Sequence, residues 1–318
     1  MSVKEMRAIY GEWLAAEMKK NENIVVIDAD LARANGTLSL RDKFPGRSFD
    51  VGVAESNMAS VAAGMASYGY IPFIGTFCPF ATRRICDQIA ISIAYAGMNV
   101  KIVGTDPGVS AEMNGGTHLS VEDVGVLRSI PGMVIFEPVD GVQLKSALPQ
   151  IAAYEGPVYM RLFRKVMQPV FDEASYKFDL FKADVLREGK DISLFASGLM
   201  LPEALKATKM LAADGISAEV VNIHTIKPLD TETVLRSVRK TGVAVTCENH
   251  NVIGGLGSAV AETLCREYPA PMRMVGIQDR FGVVGTLPYL MEKMSLTAEN
   301  IYTAAIEAVK LKKQEEPS

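Results

Sequence analysis

The chain has 318 residues, 48% hydrophobic and 22% charged, the composition of an ordinary globular protein rather than a disordered or fibrous one. Its 33 Lys and Arg against 37 Asp and Glu leave a formal net charge of -4, which supplies no large positive field to gather nucleic acid or anionic membrane. No stretch reaches the roughly 18 uncharged apolar residues of a membrane span, so small molecules and other proteins are the expected partners.

At the N-terminus, MSVKEMRAIYGEW is polar and amphipathic and lacks the apolar run and cleavage site of a signal peptide. Beyond it, short apolar runs alternate with helical patterns, which predicts βαβ units around parallel sheets. Strands are expected at 24–28, 48–53, 71–76, 100–104, 133–137 and 158–161, with helices at 57–68, 80–96 and 141–154. These make a first α/β domain, 1–164. The pattern then breaks into the charged, aromatic-dotted span 165–190, read as a linker. A second alternating series fills 191–318: DISLFAS, a helix at 202–213, AEVVNIH, a helix at 231–239, VAVTCEN, a helix at 257–266, and MRMVGI. Cys78, Cys86, Cys247 and Cys265 fall outside any CxxC spacing, which fits a reducing cytoplasm.

Three stretches of the first domain carry chemistry-bearing residues. In VGVAESNM, Glu55 is the only acid, and it sits where a strand runs into a helix. Read alone, it is also explained as a carboxylate favoured by the positive helix end, with Ser56 or Asn57 as the cap. In FIGTFCPFATRRICDQI, Phe77 and Phe80 are three apart and can share one buried face. KIVGTDPGVSAEMNGGTHLSVED reads as a strand, a long Gly-rich loop and a helix opened by Ser120, with Asp123 completing a capping-box pattern. Loops at this end of parallel strands are where α/β sheets hold ligands. A fourth stretch, GGLGSAV at 254–260, imitates a dinucleotide-binding glycine loop but lacks its third glycine.

VGVAESNM, GTFCPFATRRICDQI and NGGTHLSVED, in that order, resemble the pyrimidine-binding domain of transketolases, and GPVYMRLFR and ENHNVIGGLGSAVAE continue the likeness through the second half. The chain looks most like the C-terminal subunit of a split transketolase, a pyrimidine-binding parallel-sheet domain followed by a transketolase C-terminal-type α/β domain. The resemblance implies transfer of a two-carbon ketol unit from a ketose to an aldose with thiamine diphosphate. That chemistry requires loss of the thiazolium C2 proton to the cofactor's own 4'-imino group. A carboxyl group hydrogen-bonded to N1' promotes that tautomer. The resemblance assigns this carboxyl to Glu55, ring stacking to Phe80 with Phe77 beside it, a place near the pyrimidine to Arg83, and a place near the reacting carbons to His118. It gives GGLGSAV a structural role.

No Gly-Asp-Gly motif occurs in the chain. The resemblance therefore implies that Mg2+ or Ca2+ and the diphosphate are held by a separate N-terminal transketolase subunit, with dimerisation through the pyrimidine domain. Arg7 and Arg164 match the family's two phosphate-binding arginines. Ala34 stands where a serine is expected, Asp106 where a histidine is expected, and Asn114 where an aspartate reads the acceptor's C2 hydroxyl. An aspartate opposes a phosphate dianion unless Arg7, Arg164 or Arg83 compensates, so an altered donor is one expectation from these changes. Rival readings are a deoxyxylulose-phosphate synthase, a 2-oxoacid dehydrogenase β subunit, or a non-catalytic regulatory subunit. The THLSVED and RLFR stretches favour transketolase over the first two, and the joint presence of Glu55, Phe80 and His118 speaks against the last.

Overall fold

The computed structural model describes residues 4–315. In the first half the strands are β1 (Ile24–Asp28), β2 (Ser48–Asp50), β3 (Ile71–Phe77), β4 (Lys101–Thr105), β5 (Val134–Phe136) and β6 (Val158–Leu162). The second half adds β7 (Asp184–Arg187), β8 (Ile192–Ala196), β9 (Ala218–Asn222), β10 (Thr225–Lys227), β11 (Ala244–Asn251) and β12 (Met272–Ile277). They form a seven-stranded sheet, β10-β5-β6-β4-β3-β1-β2, and a five-stranded sheet, β12-β11-β8-β9-β7.

Both sheets are parallel except for one edge strand each. Every residue of β1, β4, β6, β8 and β9 is buried, as expected for parallel strands covered on both faces. Alternation of side chains then sorts each strand between two cores. Ile24 and Val26 pack with Leu14 and Leu148 from helices Met6–Glu17 and Gly141–Ala153. Ile27 faces the other way, onto Met58 and Ile89 from Glu55–Ser67 and Gln88–Tyr95. In the second sheet, Ile192 and Leu194 meet helices Met200–Ala213 and Ala298–Glu315, while Phe195 meets Thr231–Thr241 and Leu256–Glu267.

Four local expectations change. The span 165–190 contributes the antiparallel edge strand β7, whose alternating half-buried and exposed residues are too few to stand out from their charged surroundings. Strand β2 stops at Asp50, because the Asp50 carboxylate accepts Gly52 N at 2.6 Å and Asp30 N at 3.0 Å and turns the chain out of the sheet. The helix expected at 80–96 is broken into a short helix Cys78–Ala81, a 3-10 turn Arg83–Ile85 and a π-helical segment Gln88–Tyr95. Thr82 makes the break: its hydroxyl donates to Cys78 O at 2.7 Å and its backbone leaves helical geometry at φ -131°, ψ -88°. Finally, β10 leaves the second half to pair antiparallel with β5 in the first sheet. Thr225 Oγ1 donates to Leu180 O at 2.6 Å, Lys227 Nζ donates to Arg128 O at 2.8 Å, and Ile226 joins the first sheet's core, so the halves interlock.

The seam between the halves holds a buried charge cluster. Arg161 on β6 donates to Asp123 at 2.8 and 3.2 Å, to Glu137 at 2.8 Å and to Asn249 O at 3.0 Å. Tyr159 donates its hydroxyl to Asp123 and Ser197 donates to Glu137. Burial pushes the Asp123 carboxyl up, but Arg161, His250 and Tyr159 outweigh it and hold it below its ordinary range. The expected capping box is therefore not formed. Asp123 is spent on Arg161, and the buried Ser120 hydroxyl has no hydrogen-bond partner in the protein.

Candidate active site

Strand β2, the turn through Gly52 at φ 73° and Ala54 deliver Glu55 as the first residue of helix Glu55–Ser67. Ser56 and Asn57 are exposed, and neither caps the helix. Glu55 is buried, and its Oε1 accepts from Arg84 Nη1 at 2.7 Å. Arg84 also covers the Phe80 ring, its guanidinium carbon 3.9 Å from the ring centroid.

Strand β3 ends at Phe77, and Pro79 in the first turn of Cys78–Ala81 starts the turn that carries Phe80. The two phenyl rings lie 6.2 Å apart, and the His118 imidazole meets both edge-on, at 5.7 Å from Phe77 and 5.2 Å from Phe80. Glu55, Phe77, Phe80 and His118, spread over three segments of the sequence, thus converge with Arg84 at the ends of β2, β3 and β4. His118 Nδ1 shares a hydrogen bond with Thr117 Oγ1 at 2.8 Å.

The His118 loop is held from the second half of the chain. Asn249 accepts from Val109 N and donates to Pro107 O, both at 2.9 Å. Gly108 has φ 53°, and a Cβ there would lie 2.2 Å from Asn249 Oδ1, so only glycine allows that approach. Farther along the loop, a Cβ on Gly282 would press on Leu119 at 2.4 Å from Cδ2, which shows how closely the second half covers this segment.

The substrate candidates behave differently from one another. Asp106, at φ 57°, is buried and ion-paired with Arg164, whose guanidinium lies 5.0 Å from the Phe77 centroid. Burial raises the Asp106 carboxyl, and Arg164 offsets that only in part. Asp106 Oδ1 and Arg164 Nε are buried without partners in the protein, one acceptor and one donor left over in the same pair. Arg7 adjoins them through the backbone, its N–H donating to Arg164 O at 3.2 Å, but its side chain pairs with Glu5 at 2.8 Å. Asn114 is exposed at the end of the 3-10 turn Gly108–Asn114. Arg83 pairs with Glu122 and donates to Thr117 O at 3.4 Å.

Arg84 is the residue that sequence reading passed over. Its signal was present: Phe80 and Arg84 are four apart, the spacing at which helical neighbours meet, and the resemblance drew attention to Arg83 instead. The glycine loop at 254–260 is explained by Glu248, whose carboxylate accepts from Leu256 N at 2.7 Å and Gly257 N at 2.8 Å. A Cβ on Gly255 would lie 1.9 Å from Glu248 Oε2, so the glycine is there for that carboxylate.

Residues 2–169 match the transketolase pyrimidine-binding domain and residues 181–301 the transketolase C-terminal domain. The chain is 52% identical to a 6-deoxy-6-sulfo-D-fructose transketolase subunit of Clostridium sp. (strain MSTE9), covering 96% of this chain and 95% of that one. It is 34% identical to an apulose-4-phosphate transketolase subunit of Phocaeicola vulgatus, over 96% and 97% of the two chains. A solved split-gene transketolase, an inactive beta4 tetramer, superposes with a TM-score of 0.88 at 42% identity, over 98% of this chain and 100% of that one. The chain belongs to the transketolase family and is a subunit of a thiamine-diphosphate-dependent transferase that works with a partner chain.

Proposed function

We propose that this subunit supplies the aminopyrimidine-binding half of a two-chain transketolase active site, and that its donor is a ketose ending in a monoanionic sulfonate rather than a phosphate dianion. One observation carries the first part: Glu55 and the Phe80 face already hold one planar, N–H-bearing group between them, the Arg84 guanidinium. A slot that accepts that group fits an aminopyrimidine ring, with the carboxyl at its edge and the phenyl on its face.

Thiamine diphosphate, when bound, supplies the nucleophilic carbon that takes up and passes on the two-carbon unit. Glu55 holds a proton at N1' of the pyrimidine. Phe80 stacks on the ring, and Phe77 completes an apolar wall that keeps water off it. His118, with Nδ1 engaged by Thr117, offers Nε2 to a substrate hydroxyl. Mg2+ or Ca2+ and the diphosphate are assigned to the partner subunit, because this chain has no Gly-Asp-Gly motif and, among the described residues, no cluster of His, Cys, Asp or Glu that could hold a metal. The inactive beta4 tetramer of the split-gene relative supports this division. The four cysteines are unpaired, which supports a cytoplasmic location.

Substrate placement rests on Arg164, Asp106, Arg7 and Asn114. With Asp106 neutralising one positive charge, the site offers less attraction to a dianion, while its leftover acceptor and donor suit sugar hydroxyls and a sulfonate oxygen. The sulfonated donor of the relative at 52% identity supports the same class.

The test is Glu55→Gln in the assembled complex, with C2-proton exchange of bound thiamine followed by NMR. Exchange should slow by about 100-fold or more; unchanged exchange would reduce Glu55 to a helix-start carboxylate. For the donor, 6-deoxy-6-sulfofructose should give a higher kcat/KM than fructose 6-phosphate, and the reverse ranking refutes the sulfonate class.

A further inference from the structure

We infer that Arg84 is a plug: in the cofactor-free subunit its guanidinium occupies the aminopyrimidine's place, and it is displaced when the cofactor binds. The inference rests on the reading of Glu55 and Phe80 as the pyrimidine site. A guanidinium is planar and carries N–H donors in its plane, the two properties the cofactor's pyrimidine presents to this slot when N1' carries its proton. Arg84 uses both. Nη1 donates to Glu55 Oε1 at 2.7 Å, and the guanidinium carbon lies 3.9 Å from the Phe80 centroid, a stacking distance.

The two groups compete for the same surfaces. A ring stacked on this face of Phe80 displaces the guanidinium sterically, and an N1' contact to Glu55 replaces the Arg84 hydrogen bond. Arg84 is built to leave. Its side chain is 46% exposed against 6% for Glu55, so it swings into solvent without burying a charge. It also follows Thr82, where the helix is already broken, while Arg83 is tied to Glu122 and to Thr117 O in the His118 loop. Adjacent arginines thus divide two tasks: Arg83 braces the loop, and Arg84 covers Glu55 and Phe80 until the cofactor replaces it.

The plug gives the lone subunit a satisfied carboxylate instead of a buried unpaired one, and it sets a threshold for cofactor binding. The test is thiamine diphosphate affinity of the two-subunit complex with Mg2+, by titration calorimetry, for wild type, Arg84→Gln and Arg84→Lys. Arg84→Gln should bind about fivefold more tightly, the scale of a half-exposed ion pair with a cation–π contact. Arg84→Lys keeps the charge but loses the flat face and should fall between. The lag between mixing apo complex with cofactor and full activity should shorten in the same order. Equal or weaker binding by Arg84→Gln overturns the plug. Glu55→Gln in the same complex separates the two ideas. If it slows C2 exchange while Arg84→Gln binds no more tightly, only the plug fails; if it exchanges at the wild-type rate, the pyrimidine-site reading fails and the plug with it.

Discussion

The interior seam and the mouth of the candidate site both set arginine against carboxylate, with opposite consequences. In the seam, Arg161 is fully buried, and its donors are divided among Asp123, Glu137 and Asn249 O from three other segments. At the mouth, Arg84 and Arg164 each have one carboxylate partner and partial access to solvent, and an aromatic ring takes one face. An arginine whose nitrogens are each matched in a closed space has no alternative arrangement and acts as a rivet. An arginine with one partner and an open side can exchange that partner for a ligand. The difference lies in what surrounds the pair, since the side-chain chemistry is the same.

Arg161→Ala tests this contrast most severely. It strands Asp123 and Glu137 in the seam and should cost about 3–5 kcal/mol of unfolding free energy, read from denaturant melts. A loss as small as that of an exposed pair, under about 1 kcal/mol, would show that the seam is not held by charge.

A second test uses pH beside the seam, at the residue preceding Asn249. Burial pushes the Glu248 carboxyl up from 4.5 to about 7, against the lowering effect of the Gly257 and Leu256 N–H groups. Between those two values the folded chain holds a proton that the unfolded chain has released, so stability falls as pH rises through that window. Glu248→Gln cannot titrate. Measured against it, the wild type should lose about 3 kcal/mol across the window. Parallel stability curves for the two proteins would show that burial does not govern this carboxyl.

The smallest effect belongs to the mouth. Asp106→Asn frees the Arg164 charge while keeping the side chain's size, and should shift kcat/KM towards phosphorylated over sulfonated ketoses by about tenfold in the assembled enzyme. An unchanged ratio would place Asp106 outside the substrate path and return the Asp106–Arg164 pair to a structural role like that of Arg161.

Much of the fold was legible because burial on both faces of a parallel strand leaves a continuous apolar run. Ile24–Asp28 was bounded correctly on that signal. Thr225–Lys227 was not, because three residues carry no period and only the open edge of β5 makes them a strand. The break at Thr82 escaped for a similar reason: 80–96 is apolar at helical spacing, and the hydroxyl's bond to Cys78 O is a local choice that periodicity does not report.

For the candidate site, the order and types of residues pointed to Glu55, Phe77, Phe80 and His118 as one family pattern, since each stands in a motif that follows a strand. Only the tertiary structure decided what each touches. Glu55 meets an arginine 29 positions away, Asp123 leaves its helix start for an arginine 38 positions away, and Asp106 is neutralised by Arg164 from the end of the neighbouring strand. Sequence periodicity fixes which face of an element is buried, because burial depends on local alternation of apolar side chains. It does not fix the partner, because a charge buried by folding is matched to whichever opposite charge the packing brings within hydrogen-bond reach.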